Sequence, residues 1–244
     1  MSTADQLKIQ AQDIARAVSE SEFKRLLGLP RSQNFTENVE SVARAARDWY
    51  ATNGNPYVAF ARIPLNTVAP PRIELENSVT LHSGQLAQRL LNEEAHAIVV
   101  VAATAGPIVA EKIARHWEEG HPDEAFFLDR FASAVAEQLL QWSTTHLCRE
   151  SESSQETLLP HLSPGCEDWD LTEQHLLMSL LSDDTRIGPI DLLSTGALRP
   201  QHSVLAALGV TRKKVLVVQK DICRSCNLTP CDFRRSPFGG ERRL

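Results

Sequence analysis

The stretch AIVVVAAT, residues 97 to 104, constrains the fold of this chain more than any other. It is an unbroken apolar run rich in β-branched side chains, too short to cross a bilayer, and it reads as a strand buried within a sheet. The run ends at Gly106-Pro107, a strand-to-helix junction. One glycine is far short of a Gly-rich phosphate loop, so the junction is read as an ordinary turn. What flanks the strand then decides the fold class.

Helical spacing dominates the N-terminal flank. Ile14, Val18, Phe23, Leu26, Leu27, Val39, Val42, Ala46 and Trp49 recur at helical intervals between residues 10 and 52, enough for two or three helices. The breaker Asn53-Gly54-Asn55-Pro56 leads into YVAFARI, and RIELE and SVTLH alternate as further strands. Ser83 is placed to cap the helix GQLAQRLLNEEA, and two longer helices are expected over 107–119 and 123–147.

Beyond the polar run RESESSQET, 149–157, the pattern predicts a short helix from Leu171 to Leu181 opened by Thr172. The short segments GPIDLL, GALRP and SVLAALGV follow, and KKVLVVQKDIC reads as another strand. Helices mixed with short strands and many turns predict an α+β fold, helices packed on a mainly antiparallel sheet. The polar run divides residues 1–148 from residues 149–244, two parts read as one continuous domain.

With 42% hydrophobic residues the chain has enough apolar material for a core. Its 25 basic and 31 acidic side chains leave a net charge of -6, which argues against nucleic acid as a partner. The arginines at 234, 235, 242 and 243 form a basic tail that is read as solvated. The first twenty residues are amphipathic and carry acids, unlike a secretory signal, and no run is long enough to span a membrane, so a cytoplasmic location is expected.

In a reducing compartment five cysteines point to metal or redox chemistry before disulfides. Cys223, Cys226 and Cys231 form a C-x2-C-x4-C arrangement, in which two thiolates face one ion from a tight turn and a third closes round it. That supplies three ligands where four are usual. Cys166, on the Pro164-Gly165 turn, is the favoured fourth, with Cys148, a histidine or an exogenous ligand as alternatives. An iron-sulfur cluster is favoured over zinc because no nearby histidine completes a zinc pattern; reduced, unligated thiols are the remaining outcome.

No nucleophile motif stands out. His82, His96, His116 and His121 are scattered and read as satisfied surface or core groups. The pairs Glu167-Asp168 and Asp183-Asp184 are adjacent in sequence, so each pair points two ways and makes a poor acid/base couple.

Two segments carry a family likeness. HLSPGCEDWDLTEQHLLMSLL, followed by IGPIDLLSTGALRPQHSVLAALGV, resembles the reactivation domain of cobalamin-dependent methionine synthase, the module that binds S-adenosylmethionine while an oxidised corrinoid is reduced and remethylated. The family pattern is an Arg-x-x-x-Gly-Tyr turn, acids and a helix, then a Ser-x-x-x-x-Pro-x-x-Ser-Val stretch. Here Ser194, Pro200, Ser203 and Val204 take the later places, with one extra residue before the proline.

The resemblance implies that His161, Pro164 and Gly165 shape a cofactor turn. His161, however, stands where the family has arginine, and Cys166 where it has tyrosine. Histidine lacks the planar fork that grips a carboxylate, so the replacements argue against micromolar S-adenosylmethionine binding. The resemblance further implies a free-standing accessory protein that docks on a corrinoid-dependent methyltransferase and meets cobalamin only through that partner. An iron-sulfur centre on Cys166, Cys223, Cys226 and Cys231 suits such a role, since returning oxidised cobalt to its active state needs electrons. The alternative is a non-catalytic binding module with structural zinc.

Overall fold

In the computed structural model, residues 4–29, 34–153, 155–166, 168–182 and 184–214 are described. Strand β5 (Ala97–Thr104) lies at the centre of a seven-stranded sheet. Every residue of β5 is buried, as its unbroken apolar sequence requires, because both of its faces are covered.

On one side β5 pairs with β2 (Tyr57–Ala69), and on the other with β10 (Ser203–Thr211), both antiparallel. The sheet continues from β2 through β3 (Arg72–Leu75) to β4 (Thr80–His82), and from β10 to the two-residue β6 (Thr157–Leu158). β1 (Asp5–Leu7) pairs with the first part of β2. Three residues are too few to show alternation, so β1 left no pattern in the sequence. A small separate sheet joins β7 (Arg186–Ile187), β8 (Ile190–Leu192) and β9 (Leu198–Arg199).

The period-two pleat sorts β5 between two cores. Val99, Val101 and Ala103 face the helices α1 (Ala11–Ala17), α2 (Glu20–Leu26), α3 (Glu37–Asn53) and α6 (Pro122–Ser153). There Phe23, Tyr50 and Phe131 are fully buried, and the Phe23 and Phe131 rings meet edge to face at 5.2 Å. α5 (Pro107–Glu118) opens with proline at its first turn, and Gly106 before it takes a φ of +104° with Asn55 packed where a side chain would stand. Ile98, Val100 and Ala102 face the opposite core, built from α4 (Gly84–Asn92), α7 (Gln174–Ser179), Leu162 and Trp169.

The α+β expectation is met, and every strand pairing among the described residues is antiparallel. Two local expectations are corrected. α6 continues to Ser153, so much of the polar run at 149–157 is helical. The segment from Leu171 begins as a 3-10 turn (Leu171–Glu173), and its cap is Asp170, which accepts from the Thr172 N–H and hydroxyl at 2.8 and 2.7 Å. α3 meets the helical spacing of Val39, Val42, Ala46 and Trp49, with Ala43, Ala46 and Tyr50 buried and Trp49 half-buried. The strand expected over KKVLVVQKDIC lies almost wholly outside the described residues. Among the described residues no helix is long and apolar enough to cross a membrane.

Candidate functional site

The turn at 161–170 hangs from the sheet. Leu162 exchanges both backbone hydrogen bonds with Ala207 of β10, at 2.8 and 2.9 Å, and Arg89 of α4 donates to the Pro160 carbonyl at 2.8 Å. His161 is half-buried just before this bridge, Pro164 is buried, Gly165 is exposed and Cys166 is half-buried. Gly165 has a φ of +88°, a conformation that glycine alone adopts without strain, and its N–H donates to the Trp169 carbonyl at 2.7 Å. Cys166 N–H donates to the Ser163 carbonyl and Trp169 N–H to the Cys166 carbonyl, each at 3.1 Å. The backbone of the turn is thus closed on itself.

The later motif packs against the same turn through Leu171. A Cβ at Gly165 would stand 3.2 Å from Leu171 Cδ1, and a Cβ at Gly196, whose φ is +83°, would stand 3.2 Å from the Leu171 carbonyl oxygen. Ser203 closes its own stretch by donating to the Pro200 carbonyl at 2.6 Å. Two glycine turns far apart in sequence therefore converge on one leucine. Leu171 remains 43% exposed, a large apolar surface at the mouth of the turn.

Beneath the turn lies a polar clasp. Glu173 is nine-tenths buried and accepts from the Trp169 indole N–H at 2.8 Å, from the His82 backbone N–H at 2.8 and 3.0 Å, and from the His82 ring Nδ1 at 3.1 Å. Asp168 accepts from the Gln85 N–H at 3.2 Å, at the N-terminus of α4, where a carboxylate meets the helix's unsatisfied donors. Ser83 caps the same helix through the Leu86 N–H, as the sequence predicts. α4 can approach so closely because Gly84 has no side chain; a Cβ there would run into the Asp168 carboxylate. The hydrogen bonds from Thr172 hold the Asp170 carboxyl below the usual carboxylate range.

A second polar cluster stands where β10 begins. His202 is buried, with Nε2 3.0 Å from the Asp129 carboxylate, to which Gln201 also donates at 2.8 Å. The bond from His202 is the main reason that Asp129 sits below its ordinary range.

Of the residues singled out from sequence, His161, Pro164, Gly165 and Cys166 lie on this one turn. Cys223, Cys226 and Cys231 lie outside the described residues. Among the described residues no group of three or more histidine, cysteine or acidic side chains is placed to hold a metal, so Cys166 has no such set around it there. Sequence reasoning missed Glu173 and His82. The four-residue spacing from Trp169 to Glu173 was visible, but His82 is 91 positions from Glu173 and no local signal links them.

No family model matches the chain, and no curated protein matches it in sequence. Among solved structures, the crystal structure of the MetH reactivation domain bound to AdoHcy aligns with a TM-score of 0.65, covering 84% of this chain and 78% of that one. The chain has the fold of that reactivation domain. Identity over the alignment is only 14%, so the likeness is one of backbone architecture. The expectation drawn from the turn and from Ser194–Val204 is met at that level. The reactivation-domain fold is the frame in which Gly165, Leu171 and Gly196 come together.

Proposed function

We propose that the chain serves a corrinoid-dependent methyltransferase as a reactivation-type accessory protein. The observation that carries this reading is the shared fold with a reactivation domain crystallised with AdoHcy, together with a closed turn built round Gly165 at the place where the sequence pattern expects a cofactor turn. The partner holds the cobalamin. This chain docks on it and passes one electron at a time to the oxidised cobalt from an iron-sulfur centre, which a low-potential one-electron donor then reduces again.

Cys223, Cys226 and Cys231 supply three thiolates for that centre and Cys166 the fourth, with zinc as the alternative occupant. An all-thiolate set suits either ion, and a half-buried cysteine on a turn is accessible enough to join three from elsewhere. His161, Pro164 and Gly165 shape the turn for an S-adenosyl ligand. Without the guanidinium fork, affinity falls by about 10- to 100-fold relative to a turn that carries one, the cost of a lost charge-assisted pair.

Metal analysis and visible absorbance of anaerobically purified protein test the centre. Iron with a broad visible band that is lost on Cys223→Ser supports it; colourless protein without iron removes the electron-transfer role. Capture of a corrinoid protein from the native cell tests the partner. If no corrinoid protein or methyltransferase is retained, the accessory role falls.

A further inference from the structure

The clasp under the turn holds one histidine in a defined orientation. A carboxylate only accepts, so the contact between His82 Nδ1 and Glu173 Oε1, at 3.1 Å, requires a proton on Nδ1. Glu173 is held in turn by the Trp169 indole and by the His82 backbone N–H, so it cannot swing away without leaving a buried donor unpaired. The His82 ring is 59% exposed, and its Nε2 has no hydrogen-bond partner among the described residues. A buried carboxylate thus orients an exposed imidazole, and in the neutral tautomer with the proton on Nδ1 the outer nitrogen Nε2 carries the lone pair.

His82 also lies beside the turn. Ser83 caps α4, and the next two residues, Gly84 and Gln85, touch Asp168, while Trp169 and Glu173 bracket the exposed Leu171. We propose that His82 Nε2 is the hydrogen-bond acceptor of this site for a ligand that carries an N–H or O–H donor, and that Glu173 is the positioning residue that aims it. This deepens the S-adenosyl reading of the turn and rests on it. An adenosyl amino acid has the matching chemistry, an apolar body for Leu171 and an ammonium or exocyclic amine for Nε2.

Two measurements on the full chain test it, with AdoHcy as the probe. Nitrogen-15 histidine spectra should show His82 with the proton on Nδ1, and Glu173→Gln should release the ring to a mixture of tautomers. Calorimetry should show His82→Gln, whose amide oxygen falls near the place of Nε2, binding within about twofold of the parent chain, and His82→Asn, which reaches only the place of Nδ1, losing about fivefold or more. A residue needed only for its bond to Glu173 would show the reverse order. Binding unchanged in both variants overturns the role of His82 and leaves the S-adenosyl reading standing. No AdoHcy binding by the parent chain overturns that reading and the ligand role with it, and a His82 proton on Nε2 overturns the orienting role of Glu173 whether or not AdoHcy binds.

Discussion

Glu156 shows how one side chain ties three segments together. Its carboxylate takes a two-point bond from Arg62 of β2, both at 2.7 Å, and a third contact from His96 at 2.9 Å, just before β5. The Arg62 hydrogen bonds, and after them the bond from His96, lower its pKa to about 2. The folded-state value lies below the unfolded one, near 4.3, so the pair's stabilisation is fully present above that value and is lost as pH falls through about 2. Arg62 is 44% exposed and water screens the pair, so Glu156→Gln should cost only about 1 kcal/mol at neutral pH. Thermal melts should show the gap between parent and variant closing from about pH 5 downward; a gap that widens in acid contradicts the assignment. Gly165 makes a different kind of point. A side chain there meets both a left-handed backbone and Leu171 at 3.2 Å, so Gly165→Ala should cost about 1–2 kcal/mol in urea unfolding.

At the scale of elements, α6 and α4 do different work. α6 supplies Phe131, buried among Phe23, Tyr50 and the Arg47 guanidinium, which stands 5.1 Å over its ring. Phe131→Ala should lower stability by about 3–5 kcal/mol, read from the denaturation midpoint, with little change in the turn at the other face of the sheet. α4 is short and depends on its first turn. Removing the Ser83 hydroxyl should cost about 1 kcal/mol, and because α4 carries Gln85 against Asp168, tryptophan fluorescence should report the loosened turn through Trp169. The elements themselves were largely legible. β5 announced itself by composition, α5 by its opening proline and α4 by its serine cap. The three-residue β1 and the change from 3-10 to α geometry after Asp170 were not legible, because each depends on one or two hydrogen bonds and not on a repeating pattern.

At the scale of the molecule, the fold places the Gly165 turn on one face of the sheet and most of the helical mass on the other. Ligand binding at the turn should therefore stabilise the whole chain through β10. At about 100 times its dissociation constant, AdoHcy should add about 2.7 kcal/mol, visible as a concentration-dependent rise in melting temperature. No rise at millimolar ligand would contradict the adenosyl role proposed for the turn. The sequence alone determined that β5 is buried, that helices cover an antiparallel sheet, and that residues 161–166 form a glycine turn, because each of these is written in nearest-neighbour pattern or backbone stereochemistry. Only the tertiary structure decided that Leu171 lies between Gly165 and Gly196 and that Glu173 reaches His82. The contacts of Leu171 with Gly196 and of Glu173 with His82 join segments that are distant in sequence, held in place by the bridge between Leu162 and β10 and by the contact of α4 with Asp168.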